Sequence, residues 1–196
     1  MLKWMTDFTY KIENKAIEIG LIYKLACNYY RDVIKKEAVL ANITQEDVIL
    51  CIGGGVCPFS AILFHQITGA KVTVIDNNKD CIPKAQKAIE RLALTDKVKV
   101  ICEEGCSSNI NFADYTVVHL ALQVSPMEKV FSYVKDKIAP GTKLLLRRPK
   151  KQLDNIYCHL EKTSLTKGPY TTHKSRNIGS TILYIKQKER QTKVSA

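Results

Sequence analysis

The pattern of apolar and polar residues predicts a helical segment followed by repeated strand and helix units. Between residues 14 and 40, apolar side chains recur at intervals near 3.6, the period of an amphipathic helix, and Gly20 marks a candidate break between two helices. Short apolar runs then alternate with stretches of helical period. We predict strands over residues 47–52, 71–76, 98–102, 116–122, 143–147 and 180–186, and helices over residues 58–68, 79–94 and 126–138.

This order of elements predicts an α/β fold, a doubly wound and mostly parallel sheet with helices on both faces. Between the last two strands there is no clear helix, and residues 160–165 are a further candidate strand, so we expect the sheet to finish with a C-terminal antiparallel hairpin. We predict an N-terminal helical cap over residues 1–42, one α/β domain over residues 43–188 and a polar tail over residues 189–196.

Three consecutive glycines, residues 53–55, separate the first predicted strand from the helix that follows it. Because glycine has no Cβ atom and tolerates a positive φ, a ligand can approach the backbone of such a turn closely. Open parallel sheets bind their ligands in this position, beyond the carboxyl ends of the strands. The segment therefore predicts a binding site at the start of the sheet.

Asp76 ends the second predicted strand, 23 residues after Gly53. An acidic residue about 20 residues past a glycine turn can accept hydrogen bonds from the hydroxyls of an adenosine ribose. Together the two features predict a nucleoside-binding site. The alternative for Asp76 is a helix cap, with Asn77 and Asn78 as rival caps.

Several other site types are not indicated. A dinucleotide site is disfavoured because Pro58 stands where a third glycine is expected and removes a backbone donor from the helix start. No P-loop lysine follows the glycines, which disfavours phosphate transfer from ATP. Cys102 and Cys106 are three residues apart, but residue 109 is Asn, so neither a three-cysteine cluster nor a paired-cysteine zinc site is predicted. We expect no metal ion.

The glycine loop, Asp76, residues 103–106 and the fourth predicted strand together resemble the class I S-adenosylmethionine-dependent methyltransferases over residues 45–148. The resemblance implies S-adenosylmethionine as cofactor, with its methionine part at the glycine loop and its ribose at Asp76. In that family an Asp often flanks the adenine where this chain has Cys106, and Glu104 is a candidate replacement. The implied cofactor-binding residues are Ile52, Gly53, Gly54, Gly55, Asp76, Asn77, Glu104, Gly105, Cys106, Leu120 and Ala121.

Three stretches, residues 28–37, 53–60 and 139–148, are also similar to nicotianamine synthase and its small bacterial relatives. Those enzymes use the same cofactor but transfer its aminocarboxypropyl group to an amine. The family's glycine–proline motif is altered here by Val56 and Cys57.

This second resemblance implies that Tyr29, Tyr30 and Glu37 approach the far end of the cofactor from the N-terminal helices. Glu37 would bind an amino group or take its proton, as a positioned carboxylate can. The alternatives are an exposed Glu37 paired with Lys36 or Arg31, and tyrosines that only pack.

The acceptor zone is expected at the ends of the fourth and fifth strands. His119 is a candidate base if it points to the carboxyl end of its strand and is otherwise a core residue, while Gln123 follows the same strand. Arg147 begins a basic cluster that is a candidate phosphate contact or a solvated surface. The candidate catalytic residues are Glu37, Tyr30 and His119, and the candidate substrate residues are Tyr29, Gln123 and Arg147.

The charge is concentrated at the C-terminal end. The chain carries a net charge of +11, yet residues 142–196 hold 13 basic and 3 acidic residues, a difference of +10. This excess points to an anionic acceptor, a nucleic acid or simple solubility, and leaves the cofactor half nearly neutral. Seven cysteines without a disulfide framework, together with the lack of a signal-peptide core or a spanning segment, predict a cytoplasmic protein.

The leading hypothesis is a methyltransferase that uses S-adenosylmethionine on an unidentified acceptor, with a small molecule expected. One alternative is aminocarboxypropyl transfer to an amine. The other is a non-catalytic basic protein that binds nucleic acid on a methyltransferase scaffold.

Overall fold

The computed structural model of the chain describes residues 20–153 and 168–187. Its helices are α1 (Gly20–Leu40), α2 (Phe59–Thr68), α3 (Ile82–Arg91) and α4 (Met127–Lys137). Its strands are β1 (Val48–Ile52), β2 (Lys71–Asp76), β3 (Val98–Cys102), β4 (Val117–Leu120), β5 (Lys143–Pro149), β6 (Tyr170–Thr172) and β7 (Ile178–Ile185), with short 3₁₀ helices at Phe112–Asp114 and Lys151–Leu153. The candidate strand at residues 160–165 lies outside the described residues.

The strands form one seven-stranded sheet in the order β3-β2-β1-β4-β5-β7-β6. The first five strands are mutually parallel, and β7 runs antiparallel to both β5 and β6. The predicted α/β fold with a closing hairpin is therefore confirmed. Strand β6 was not predicted, because it has only three residues and two of them are exposed.

The main boundary difference is at α3, which begins at Ile82 and not near residue 79. The chain first makes a polar turn, in which the Asn78 amide donates to Asp76 Oδ1 and the Asp80 amide donates to Asn78 Oδ1. Pro83 then lies in the first helical turn, where its missing N–H has no helical partner to lose. The turn residues therefore delay the start of the helix.

The helices cover the sheet on both faces. Helices α1, α2 and α3 contribute Cys27, Ile34, Phe64 and Ile89 to one apolar cluster, while α4 packs on the other face. Because α1 shares its core with the sheet, it lies directly on the α/β domain. The predicted division after residue 42 stays a prediction. Within residues 20–153 and 168–187, no helix combines the length and apolar character needed to cross a membrane.

Candidate functional site

A cavity of about 640 Å³ lies beyond the carboxyl ends of β1, β2 and β4, beside α1. Most of the candidate residues from the sequence line it: Tyr29, Tyr30, Ile52, Gly53, Gly54, Gly55, Asp76, Asn77, Gly105, His119, Ala121, Gln123 and Arg147. Four candidates are not part of its lining: Glu37, Glu104, Cys106 and Leu120. The edge of the sheet that was predicted to bind a ligand is thus the edge that forms the cavity.

The glycine loop forms part of the cavity wall and depends on its glycines. Gly53 and Gly55 have φ values of 87° and 63°, in the left-handed region. A Cβ atom on Gly54 would lie 2.2 Å from Cγ1 of Val74, which is closer than any real contact. The amides of Gly53 and Gly54 both point to the carbonyl oxygen of Ile75, at 2.9 and 3.3 Å. Strand β2 therefore holds the loop in place.

Asp76 ties the glycine loop to the next turn. Its Oδ2 accepts a hydrogen bond from the Gly55 amide at 2.8 Å, and its Oδ1 accepts one from the Asn78 amide at 2.9 Å. Asp76 thus caps a turn and not the helix, which starts six residues later at Ile82. A carboxylate has about four acceptor positions, so each oxygen keeps one for a ligand hydroxyl.

The end of β3 differs from what we expected. Gly105 lines the cavity, and a Cβ atom there would lie 2.9 Å from Cγ1 of Val130. Glu104 is exposed and turned away, whereas Cys106 packs against the apolar cluster under α4. The acidic residue of this segment that lines the cavity is Glu103, whose Oε2 accepts a hydrogen bond from Asn109 Nδ2 at 3.1 Å.

Leu120 does not line the cavity, because it is fully buried on the α4 face of the sheet. Its neighbour Ala121 does line it. Successive side chains of a strand point to opposite faces, so Leu120 points away from the face on which His119 lies. Ala121 follows the last residue of β4 and lies at the cavity.

Glu37 is fully buried beside the cavity and forms an ion pair with Arg147. Its Oε1 and Oε2 accept hydrogen bonds from Arg147 Nε and Nη2, each at 2.8 Å, and Oε1 also accepts one from Thr181 Oγ1 at 2.6 Å. Burial by itself would raise the pKa of Glu37, but the Arg147 guanidinium outweighs it and holds that pKa well below its usual range. Glu37 is therefore ionised.

The alternative in which Glu37 is an exposed carboxylate paired with Lys36 or Arg31 is wrong. Its side chain has no exposed surface, and Lys36 instead pairs with Asp32 at 3.3 Å. The helical period places residue 37 on the buried face of α1, between Val33 and residue 41.

Arg147 links the ion pair to the cavity. It is also buried, lines the cavity, and donates from Nη1 to Ser60 Oγ at 3.0 Å. Its guanidinium carbon lies 6.0 Å from the ring centre of Tyr30, within cation–π distance. Tyr30 in turn stacks on Phe59, with ring centres 5.8 Å apart. Tyr30 therefore packs against its neighbours, as one alternative predicted, and also lines the cavity.

Tyr29 connects α1 to the turn between β6 and β7. Its hydroxyl lies 2.7 Å from Ser175 Oγ and accepts a hydrogen bond from the Arg176 amide at 2.9 Å. Asn177, in the same turn, lines the cavity. This contact fixes the position of α1 over one end of the cavity.

His119 lies between the ion pair and the cavity. It is fully buried, lines the cavity, and its Nε2 is 3.6 Å from Glu37 Oε2, while its ring meets Phe64 edge-on. Neither ring nitrogen has a hydrogen-bond partner. Burial lowers the pKa of His119, and the charge of Arg147 lowers it further, so the ring is neutral at pH 7.

Three residues of the buried polar network were not predicted: Ser60, His173 and Thr181. His173 Nε2 lies 2.8 Å from Thr181 Oγ1. Since the single hydroxyl proton of Thr181 is donated to Glu37, His173 must donate to Thr181. What brings Thr181 into this network is the register of β5 with β7, in which Arg147 lies opposite Thr181. That register cannot be read from local sequence.

The described residues show no group of three or more His, Cys, Asp or Glu side chains that could hold a metal ion. The acidic and basic side chains that line the cavity belong instead to two regions. Asp76, Asp80 and Glu103 lie beside β2 and β3, and His119 and Arg147 lie beside β4 and β5. The first region can accept hydrogen bonds from hydroxyl or amino groups, and the second presents a neutral imidazole and a neutralised guanidinium.

No protein-family model and no curated protein matches the chain. Two structures of MtNAS, one in complex with S-adenosylmethionine and one with MTA and tNA, superpose with TM-scores of 0.78 and 0.80 at 21% identity; they cover 95% of this chain and 76% and 74% of theirs. A structure of a Methanococcus maripaludis protein described as a putative S-adenosyl-L-methionine-dependent methyltransferase gives 0.69 at 13% identity, with coverage of 93% and 95%. An RNA methyltransferase from Salinibacter ruber in complex with S-adenosyl-L-homocysteine superposes with a TM-score of 0.63 at 17% identity. The superposition covers 84% of this chain and 97% of that protein. The chain has the fold of these proteins.

Proposed function

We propose that this chain is an S-adenosylmethionine-dependent transferase. The observation that carries the proposal is the hydrogen bond between Gly55 and Asp76, which joins a ligand-accessible glycine loop to a ribose-type carboxylate at the wall of one large cavity. Support comes from the solved structures of the same fold, since MtNAS holds S-adenosylmethionine and the Salinibacter ruber enzyme holds S-adenosyl-L-homocysteine.

The residues at the cavity fit this cofactor. The glycine loop would hold the methionine part, Asp76 would accept the ribose hydroxyls, and Asn77, Glu103 and Gly105 would border the adenine. Glu103 supplies an acceptor close to the position where related enzymes use an Asp and this chain has Cys106. When bound, the cofactor supplies an electrophilic carbon on a sulfonium that leaves as a neutral thioether. The chain's main task is then to align the acceptor with that carbon.

Two groups of the cofactor could be transferred. Methyl transfer to a small-molecule acceptor requires little beyond alignment and fits the cavity. Aminocarboxypropyl transfer to an amine is favoured by a specific observation, namely that Tyr29 and Tyr30 of α1 line the cavity next to the Glu37–Arg147 ion pair. The MtNAS structures, which span 95% of this chain, are consistent with it.

Calorimetry with S-adenosylmethionine and S-adenosyl-L-homocysteine tests the proposal. We expect both to bind, and Asp76→Ala to lose about 1–3 kcal/mol of binding free energy because the ribose hydroxyls lose a charged acceptor. Asp136→Ala is the matched control, since Asp136 is exposed on α4 and does not line the cavity. No binding by the wild-type chain would overturn the proposal, and an unchanged affinity of Asp76→Ala would remove Asp76 from the site.

Chromatography of turnover mixtures separates the two transfers. The chain is incubated with S-adenosylmethionine and a panel of amino acids and polyamines. Methyl transfer leaves S-adenosyl-L-homocysteine, whereas aminocarboxypropyl transfer leaves methylthioadenosine. The by-product that accumulates identifies the reaction.

Nucleic-acid binding and a cytoplasmic location stay predictions. Among the described residues, Arg148, Lys150 and Lys151 follow or end β5, and Lys174 and Arg176 lie in the β6–β7 turn. If they contact phosphates, RNA binding should weaken steeply as salt rises. Binding that ignores salt would contradict this role.

A further inference from the structure

His119 is fully buried and lines the cavity; its Nε2 faces Glu37 Oε2 at 3.6 Å, whereas its Nδ1 has no hydrogen-bond partner among the described residues. Buried polar groups are normally hydrogen-bonded, because an unpaired one keeps its full desolvation cost. An orphan at a cavity wall therefore points to a partner that enters the cavity.

The hydrogen bonds of Glu37 define the tautomer of His119. Oε1 accepts from Arg147 and Thr181, and Oε2 accepts from Arg147. One acceptor position remains, on Oε2, and the group facing it is His119 Nε2 at 3.6 Å. Placing the ring proton on Nε2 turns this contact into an attraction. Nδ1 then carries a bare lone pair.

Glu37 does not itself line the cavity. Its carboxylate is separated from the cavity by its partners, Arg147 and His119, which do line it. A nucleophile in the cavity would therefore meet the imidazole and not the carboxylate. Glu37 is a positioning residue, and His119 is the titratable group next to it that lines the cavity.

The other described acidic groups of the cavity are not placed for this task. Asp76, Asp80 and Glu103 follow β2 and β3, where the nucleoside part of the cofactor is proposed to bind. His119 lies on β4, next to Arg147 of β5. It is the described proton acceptor on the acceptor side of the cavity.

We propose that His119 accepts a proton through Nδ1 from an acceptor amine whose reactive nitrogen is uncharged and carries an N–H bond. This inference rests on the proposed transferase function. The amine lone pair forms the new N–C bond, the C–S bond breaks, and its electron pair stays on sulfur as a thioether. The proton of the resulting ammonium passes to Nδ1. The single positive charge thereby moves from sulfonium to imidazolium.

The surroundings of His119 suit this sequence of events. Glu37 of α1 and Arg147 of β5 face it as an ion pair, Cys51 of β1 is its register neighbour, and Tyr30 lies across the guanidinium. Burial and Arg147 keep the pKa of His119 below its ordinary value, so the ring is free to accept a proton. Loss of the sulfonium charge during transfer makes that protonation easier, and Glu37 stabilises the imidazolium.

Two substitutions separate catalysis from positioning. In His119→Gln the amide can reach the position of Nε2 and still donate to Glu37, but nothing replaces Nδ1. In His119→Asn the amide oxygen reaches the position of Nδ1, but the bond to Glu37 is lost. We expect both variants to bind S-adenosyl-L-homocysteine as the wild type does and to lose about 10²–10⁴-fold in turnover of an amine acceptor, since neither amide can take a proton.

The pH profile adds a second readout. At a fixed concentration of the uncharged amine, the wild-type rate should fall as His119 becomes protonated at acidic pH, and this limb should disappear in His119→Gln. Full activity of His119→Gln would show that His119 only supports Glu37, and would overturn the proposal while leaving the transferase function intact. Failure of the wild type to bind S-adenosylmethionine would instead refute the transferase function.

Nitrogen NMR of histidine-labelled protein with saturating S-adenosyl-L-homocysteine tests the tautomer without any acceptor. We expect His119 to carry its proton on Nε2. His65 is the internal control, because its Nδ1 lies 2.9 Å from the Ala70 carbonyl oxygen and must donate to it. His65→Gln and His119→Gln assign the two signals. A proton on Nδ1 of His119 would overturn the proposal.

Discussion

The two faces of the same central strands are built in different ways. Towards α4, β1, β4 and β5 present fully or nearly fully buried apolar side chains, among them Leu50, Leu120 and Leu146. Towards α1 and α2, the residue adjacent to each of these in its strand is Cys51, His119 or Arg147. Strand alternation therefore places a dry core and a buried network of ionised and polar groups a few ångströms apart.

The difference indicates what each face is for. An apolar core stabilises the fold in proportion to the area that it buries. A buried ion pair gains little or nothing over apolar residues of the same size, because desolvation of both charges offsets their attraction. The Glu37–Arg147 pair adjoins the cavity and is completed by Thr181, Ser60 and His119. Its position is better explained by the site than by stability.

The largest effect should follow from breaking the ion pair on one side only. Arg147→Met leaves Glu37 buried and uncompensated, and we expect it to lower the free energy of unfolding by about 3–5 kcal/mol. Urea denaturation at pH 7 measures this.

The double variant Glu37→Met with Arg147→Met is the control for that loss. It removes both charges, so its stability should return to near that of the wild type, while turnover stays low. A double variant as unstable as the single one would show that the pair is needed for folding, and would remove the contrast between the faces.

On the apolar face, Leu146→Ala should lower the free energy of unfolding by about 3 kcal/mol, because it opens a cavity in a packed cluster. Cofactor affinity should stay within twofold of the wild type, since Leu146 does not line the cavity. Denaturation and calorimetry on the same preparation check both statements. A large loss of affinity would mean that the two faces are coupled.

Thr181→Val tests the far side of the network and should cost about 2 kcal/mol. The substitution keeps the shape of the side chain but removes the donor to Glu37 and the acceptor for His173, so two buried groups lose a partner. Thr181→Ser keeps the hydroxyl and is the matched control. Equal stabilities of the two variants would show that the hydroxyl contributes nothing.

The sequence was sufficient for the apolar face and most of the fold. Short apolar runs that alternate with segments of helical period located six of the seven strands, and each of these lies within two residues of its predicted limits. The exception, β6, is too short to carry a pattern. The glycine loop and Asp76 were also accessible, because their signal lies within 24 consecutive residues.

The polar face could not be predicted in the same way. Glu37 lies 110 residues from Arg147 and 144 from Thr181 in the chain, so no local pattern records their contact. Family resemblance pointed to Glu37 and Arg147 separately and gave no sign that they pair. Only the register of β5 with β7, and the packing of α1 across both, brings them together.

The smallest effect we predict is the pH dependence of stability, and it too separates the faces. Burial lowers the pKa values of folded His119 and His173 below the 6.5 of an unfolded histidine. The unfolded chain then binds more protons, so these two residues lower the free energy of unfolding as pH falls below about 6.5. Glu37, with its pKa held low by Arg147, loses its contribution to stability only below about pH 4.5, where the unfolded carboxyl is protonated.

Urea midpoints measured between about pH 7.5 and 5.5 isolate the contribution of the two histidines. The double variant His119→Gln with His173→Gln should flatten the slope. An unchanged slope in the double variant would mean that the polar face does not titrate in this range.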